Sequence, residues 1–198
     1  MNKFFIVSIC FLLTFSLHAA QNSKIKCVPQ LQKSLNAILK IPEARTLIHS
    51  IQKEGPIQIV ADSTSLSKQF GAYWDPDNRI ICIDLSANRT EGAKIGSLLF
   101  ELHNASVNSK IFHLNMLAYR RKINKQNYIQ SMEHLEYINS INTAKIADKG
   151  IKMGVIPKDS RLSIYSSFEE HFRVQRMSGH SDSMGRMYDL CLQFKPYH

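Results

Sequence analysis

Between Gly71 and Ala105 the chain reads GAYWDPDNRIICIDLSANRTEGAKIGSLLFELHNA, and its hydrophobic period changes across one short polar loop. Before the loop, Phe70 to Trp74 and Arg79 to Leu85 are rich in aromatic and β-branched residues. They flank Asp75-Pro76-Asp77-Asn78, whose turn chemistry suits a hairpin. After the loop, Ile95, Leu98, Leu99, Leu102 and Ala105 recur at helical spacing. Thr90 or Asn88 supplies the N-cap, and Glu91 sits in the first turn, where a carboxylate complements the helix dipole. A sheet must therefore lie beside a helix that follows it directly in the chain.

The flanking sequence extends this pattern. Val28, Leu31, Leu35 and Ile38 predict one helix, which Pro42 stops or restarts. Ala44, Leu47, Ile48 and Ile51 predict a second, ended by Gly55-Pro56. Ile57 to Val60 reads as a strand and the Ser-rich stretch from Asp62 to Lys68 as a loop. Further helices are expected over 111–121, over 127–147 with Ile129, Met132, Leu135, Ile138 and Ile141 as the buried face, and around 168–177 and 184–192. Gly150 and Gly154 are read as ending the long one. The expectation is an α+β fold: a mainly helical single domain over residues 21–198. A small antiparallel sheet (about residues 56–85) packs beside a central helix (about 90–108).

Residues 1–20, MNKFFIVSICFLLTFSLHAA, have the lysine, uncharged run and small-residue end of a secretory signal. The run from Phe4 to Leu17 is shorter than the roughly 20 residues that cross a bilayer. The expected location is secreted or periplasmic, with cleavage near Ala20 and no membrane anchor afterwards. The full 198-residue chain carries a formal charge of +9. No aromatic residues interleave with basic runs such as Arg120-Arg121-Lys122, so nucleic acid is not an expected partner; an anionic surface or an acidic partner remains. An exported chain permits disulfides. Cys82 sits in a β-rich apolar run and reads as a buried thiol, while Cys27 and Cys191 lie near opposite ends of the chain and are the expected pair.

The Gly71–Ala105 segment resembles the zincin metallopeptidases, in which a sheet edge packs beside a helix bearing H-E-x-x-H. The two histidines of that motif ligate zinc from one helix face, and the glutamate acts as general base. Here the motif reads Phe100-Glu101-Leu102-His103-Asn104. Glu101 keeps the general-base position. Phe100 and Asn104 replace the two ligands, and His103 is one residue out of register, about 100° round the helix. The resemblance therefore implies a zincin-like frame with no zinc or other cofactor. The gluzincin branch draws a third ligand from a later helix, where this chain has Glu133 and Glu136. Set three apart, they share a helix face and either meet Glu101 and Asn104 across a groove or form a solvated acidic patch. Converging carboxylates would favour a hard cation or a cationic ligand.

Two other stretches carry acid, hydroxyl or imidazole. Gly179-His180-Ser181-Asp182-Ser183 resembles an esterase elbow but lacks its final glycine and leaves no room for a triad. Glu169-Glu170-His171 reads as a surface or partly buried histidine. The sequons at Asn88 and Asn104 read as chance matches. Together these residues give two expectations. One is an exported metallopeptidase-like protein that has lost zinc and binds a protein or peptide partner through Asn104, Glu133 and Glu136. The other is an active hydrolase using Glu101, with His103 and the nearby carboxylates as helpers and a different metal or none.

Overall fold

The computed structural model describes residues 25–86 and 89–193, the side chains of Ser65 and Leu66 excepted. Residues 1–20, read above as a secretory signal, and Asn88 lie outside the described residues. The chain runs β1 (Ile25–Cys27), α1 (Pro29–Ile38), α2 (Pro42–Lys53), β2 (Ile57–Asp62), α3 (Ser65–Phe70), β3 (Ala72–Asp75) and β4 (Ile80–Asp84). It continues through α4 (Glu91–Ser106), α5 (Asn108–Tyr119), α6 (Lys125–Lys152), a 3-10 turn (Lys158–Ser160), α7 (Phe168–Met177) and α8 (His180–Gln193). The fold is α+β, mainly helical with one small sheet. No helix among the described residues is long and apolar enough to cross a membrane.

The strand order is β1-β2-β4-β3. Only the β3–β4 hairpin is antiparallel; β1 pairs with β2, and β2 with β4, in parallel. The expected all-antiparallel sheet is thus corrected to a mixed one. The cause is α3, which occupies most of the stretch read as a loop. Its N-cap Thr64 accepts from the Ser67 amide, and Gly71 ends it in the left-handed conformation, at φ 82°. The helix lets the chain cross to the sheet edge before β3 begins. The returning strand β4 then slots between β3 and β2, pointing the same way as β2.

Two apolar clusters hold the molecule together. The larger joins α1, α2, the sheet and α4 through residues such as Leu31, Ile59, Ile83 and Leu99, and takes in Ile146, Ala147 and Ile156. The smaller joins α5, α6 and α8 through Ala118, Tyr128, Met132 and Cys191. α6 serves both: its 28 residues span about 42 Å. Its buried face is not the expected Ile129–Ile141 stripe. Met132 is buried, but Ile138 is 40% exposed, and Glu133, Asn139, Ser140 and Thr143 point inward instead. Nor does Gly150 end the helix. A Cβ there would lie 2.4 Å from Ile41 Cδ1, so the missing side chain lets α6 pack closely, and Gly154 marks the stop at φ 68°.

α4 is buried on almost every side, and two contacts fix its start. Thr90 caps it by accepting from the Ala93 amide. Half-buried Arg89 donates to the Gly71 carbonyl, to Ala93 O at 3.2 Å and to Ser97 Oγ at 2.6 Å, tying the β4–α4 loop to both elements. On another face Gly96 admits the 3-10 turn, since a Cβ would come within 2.5 Å of the Ser160 carbonyl oxygen.

The expected Cys27–Cys191 disulfide is not formed. Both thiols are free, as is buried Cys82. Cys27 packs against the larger cluster and Cys191 belongs to the smaller, so the two ends of the described chain finish in different cores.

Candidate functional site

α4 and α6 pack together where the two clusters meet, and α7 and α8 close over α6. The polar groups of the four helices gather there. Glu133 on α6 is fully buried and accepts three hydrogen bonds: from Ser181 Oγ at 2.7 Å, from His180 Nδ1 at 3.1 Å and from His171 Nε2 at 3.3 Å. His180 and Ser181 open α8, whose N-terminal dipole favours a carboxylate at that end. The other ring nitrogen of His180, Nε2, lies 3.5 Å from Glu136 Oε2. His180 therefore bridges the two glutamates of α6, and one ligand atom from each of Glu133, Glu136 and His180 lies within 4.8 Å of the others.

Glu101 reaches the same region from α4. Its Oε2 accepts from Asn104 Nδ2 at 2.9 Å, and Asn104 Oδ1 in turn accepts from Asn139 Nδ2 on α6 at 2.8 Å. This relay of two amides fixes the carboxyl. β3 is an edge strand and packs on α4, and the backbone of Trp74 lies against the Glu101 carboxyl. Glu101 and Glu133 are deeply buried, while the Glu136 and His180 side chains are 17% and 16% exposed. Access is thus past Glu136 and His180, where Phe70 sets its ring edge-on to His180 at 5.1 Å between centroids.

The electrostatics follow from that packing. Burial, reinforced by the charge of Glu136, pushes the Glu101 carboxyl up to about 8, against its hydrogen bond from Asn104. Burial also raises Glu136, with the Glu133 charge adding to it. Burial acts in the same direction on Glu133, but the donors on His171, His180 and Ser181 overcome it and bring the group down to about 2. Burial would lower His180, yet the charges of Glu136 and Glu133 lift it to about 9. At neutral pH the centre thus holds an imidazolium between two carboxyls, with a protonated Glu101 behind.

Glu101, Asn104, Glu133 and Glu136 are brought together, as expected if they meet across a groove. His103 is not. It is buried on another face of α4 with Nε2 unpartnered, and burial alone lowers it to about 4. The zincin ligand positions do not fit a zinc ion: Phe100 has no donor atom, and the amide oxygen of Asn104 is occupied by Asn139. Burial of Asn104 also closes its sequon to a glycan.

The sequence reading missed His171, His180, Ser181 and Asn139 as members of the centre. The signal was present on α6, where Glu133, Glu136, Asn139, Ser140 and Thr143 form a polar stripe at helical spacing. A search for apolar stripes passes over it. His171, read as a surface or partly buried histidine, is buried among Tyr137, Tyr165 and Phe168, with ring centroids 5.6, 5.5 and 6.4 Å away. Compared with protein-family models, with curated proteins and with solved structures, the chain gives no match.

Proposed function

We propose that this chain is an exported, metallopeptidase-like hydrolase that keeps Glu101 of the FELHN helix and draws its metal ligands from α6 and α8 instead. The observation that carries the reading is the convergence of Glu101, Glu133, Glu136 and His180 from three helices beneath an edge strand. Glu133, Glu136 and His180 would offer two carboxylates and, once a divalent cation displaces the His180 proton, an imidazole, a donor set suited to that cation. Such a cation, when bound, would polarise a carbonyl and acidify a water. The chain's own residues supply the rest. Glu101 is the proton-transfer group, held by the Asn104–Asn139 relay. β3, with one edge free of other strands among the described residues, can align an extended peptide by main-chain hydrogen bonds. Phe70 stands at the entrance.

The first test is the metal content of the purified protein, prepared without chelators or a histidine tag. A stoichiometric divalent metal is expected, lost in Glu136→Gln. Turnover of a mixed peptide substrate should then fall by roughly 10²-fold or more in Glu101→Gln, the usual scale for a lost acid–base group. A stably folded, metal-free protein with no turnover would overturn the hydrolase reading. It would favour a second one, a frame that has lost zinc and binds a peptide or protein partner. That reading is supported by Phe100 and by the amide of Asn104 being spent on its neighbours.

A further inference from the structure

Two hollows meet at Gln130 and Phe168, apart from the centre described above. The larger, about 820 Å³, runs between α5 and α6 over Leu114 and Leu135. The smaller, about 490 Å³, follows α7 beside Phe172 and Met177. Their junction is aromatic: Phe168 stands edge-on to His134 at 4.9 Å and stacks on Phe172 at 5.8 Å between centroids. Met177 is 77% exposed, so the apolar surface continues to the end of α7.

The charges along this trough are one-sided. Lys110, Arg173 and Arg176 are exposed, against a single lining carboxylate, Glu169. Among the described residues none of the three cations forms an ion pair. Arg176 lies instead over the Phe172 ring, 6.0 Å from its centroid. A concave apolar floor rimmed by unpaired cations complements a segment that sets apolar anchors on one face and carboxylates on the other.

We propose that this trough docks an acidic amphipathic segment of another protein. The parts of this chain outside the described residues contain no Asp or Glu, so none of them supplies the segment. A second copy is disfavoured by mutual repulsion between two strongly basic chains. A bilayer would meet the rim cations but leave the concave floor uncovered. The inference stands apart from the hydrolase reading, because Glu101, Glu133, Glu136 and His180 line neither hollow.

The test is a fluorescence anisotropy titration of the purified protein with a labelled synthetic peptide carrying Leu and Phe on one helical face and Glu on the other. Saturable binding that weakens with salt is expected. The exposed pair Arg173→Glu and Arg176→Glu, checked for an unchanged circular-dichroism spectrum, should weaken it by about tenfold or more, and Phe168→Ala by a similar factor. Glu101→Gln should bind normally, which separates this result from the fate of the hydrolase reading. Absence of saturable binding would overturn the proposal. So would equal binding of polyglutamate without apolar anchors, or affinity unchanged in the charge-reversed pair. Binding of phosphatidylserine vesicles in place of the peptide would overturn it in favour of a membrane surface.

Discussion

The carboxyl of Glu101 is buried with one neutral side-chain donor, Asn104, whereas Glu133, fully buried, accepts from His171, His180 and Ser181. The consequences for stability have opposite signs. Glu101 has a folded value near 8, above its ordinary 4.5, so its contribution is full below pH 4.5 and is lost as pH rises towards 8. Glu133 contributes above pH 4.5 and loses that contribution as pH falls towards 2. His180 behaves like Glu101 in sign, losing its contribution between its ordinary 6.5 and about 9. Urea unfolding in chelator should therefore show Glu101→Gln gaining on the parent protein between pH 5 and pH 8. The gain is bounded by roughly 1.4 kcal/mol per pH unit, and a difference that stays constant with pH would contradict this account. Glu133→Gln should cost about 1.5 to 3 kcal/mol near pH 6, because it takes the charged acceptor from three donors and leaves the His180 imidazolium with Glu136 alone. At this scale the sequence revealed Glu101 and the α6 carboxylates through their spacing. It concealed the histidines, since nothing local tells a surface imidazole from one turned inward by three aromatic neighbours.

Among the elements, apolar periodicity located α1 and α2 closely, because each buries a stripe that differs from its exposed face, and it located α4 although that helix is buried nearly all round. Three elements escaped it for separate physical reasons. β1 has three residues, too few to display a period. α3 is polar and Ser-rich, and is held by its caps and its place beside the hairpin. α6 was found as a helix, but its inward face was assigned to isoleucines, whereas the structure spends that face on Glu133, Asn139 and Thr143. Close packing at α4 gives a prediction of its own. Gly96→Ala sets a methyl against the Ser160 backbone, which cannot rotate away as a side chain can, and should cost about 1 to 3 kcal/mol despite the better helix propensity of alanine. Gly154→Ala meets no atom within 4 Å and should cost only the roughly 1 kcal/mol of a left-handed backbone. Chemical denaturation of the two variants side by side measures the contrast, and equal losses would refute it.

On the scale of the molecule, the α+β class followed from the order of the strand and helix signals. The mixed sheet did not, because strand direction depends on how α3 carries the chain across the sheet edge. The cysteines were misjudged at this scale too. Placing both ends near each other in space is a statistical tendency, and here the ends finish in separate cores. A non-reducing peptide map should accordingly contain no Cys27–Cys191 cross-link, and thiol reagents should reach buried Cys82 and Cys191 only on unfolding. Between those two cores the contact runs across amides, carboxyls and imidazoles rather than methyl groups. Destabilising substitutions in one core should therefore add in free energy to those in the other, within about 0.5 kcal/mol. Each core is then free to accumulate sequence change at its own pace, and only the groups along their shared boundary must change in concert.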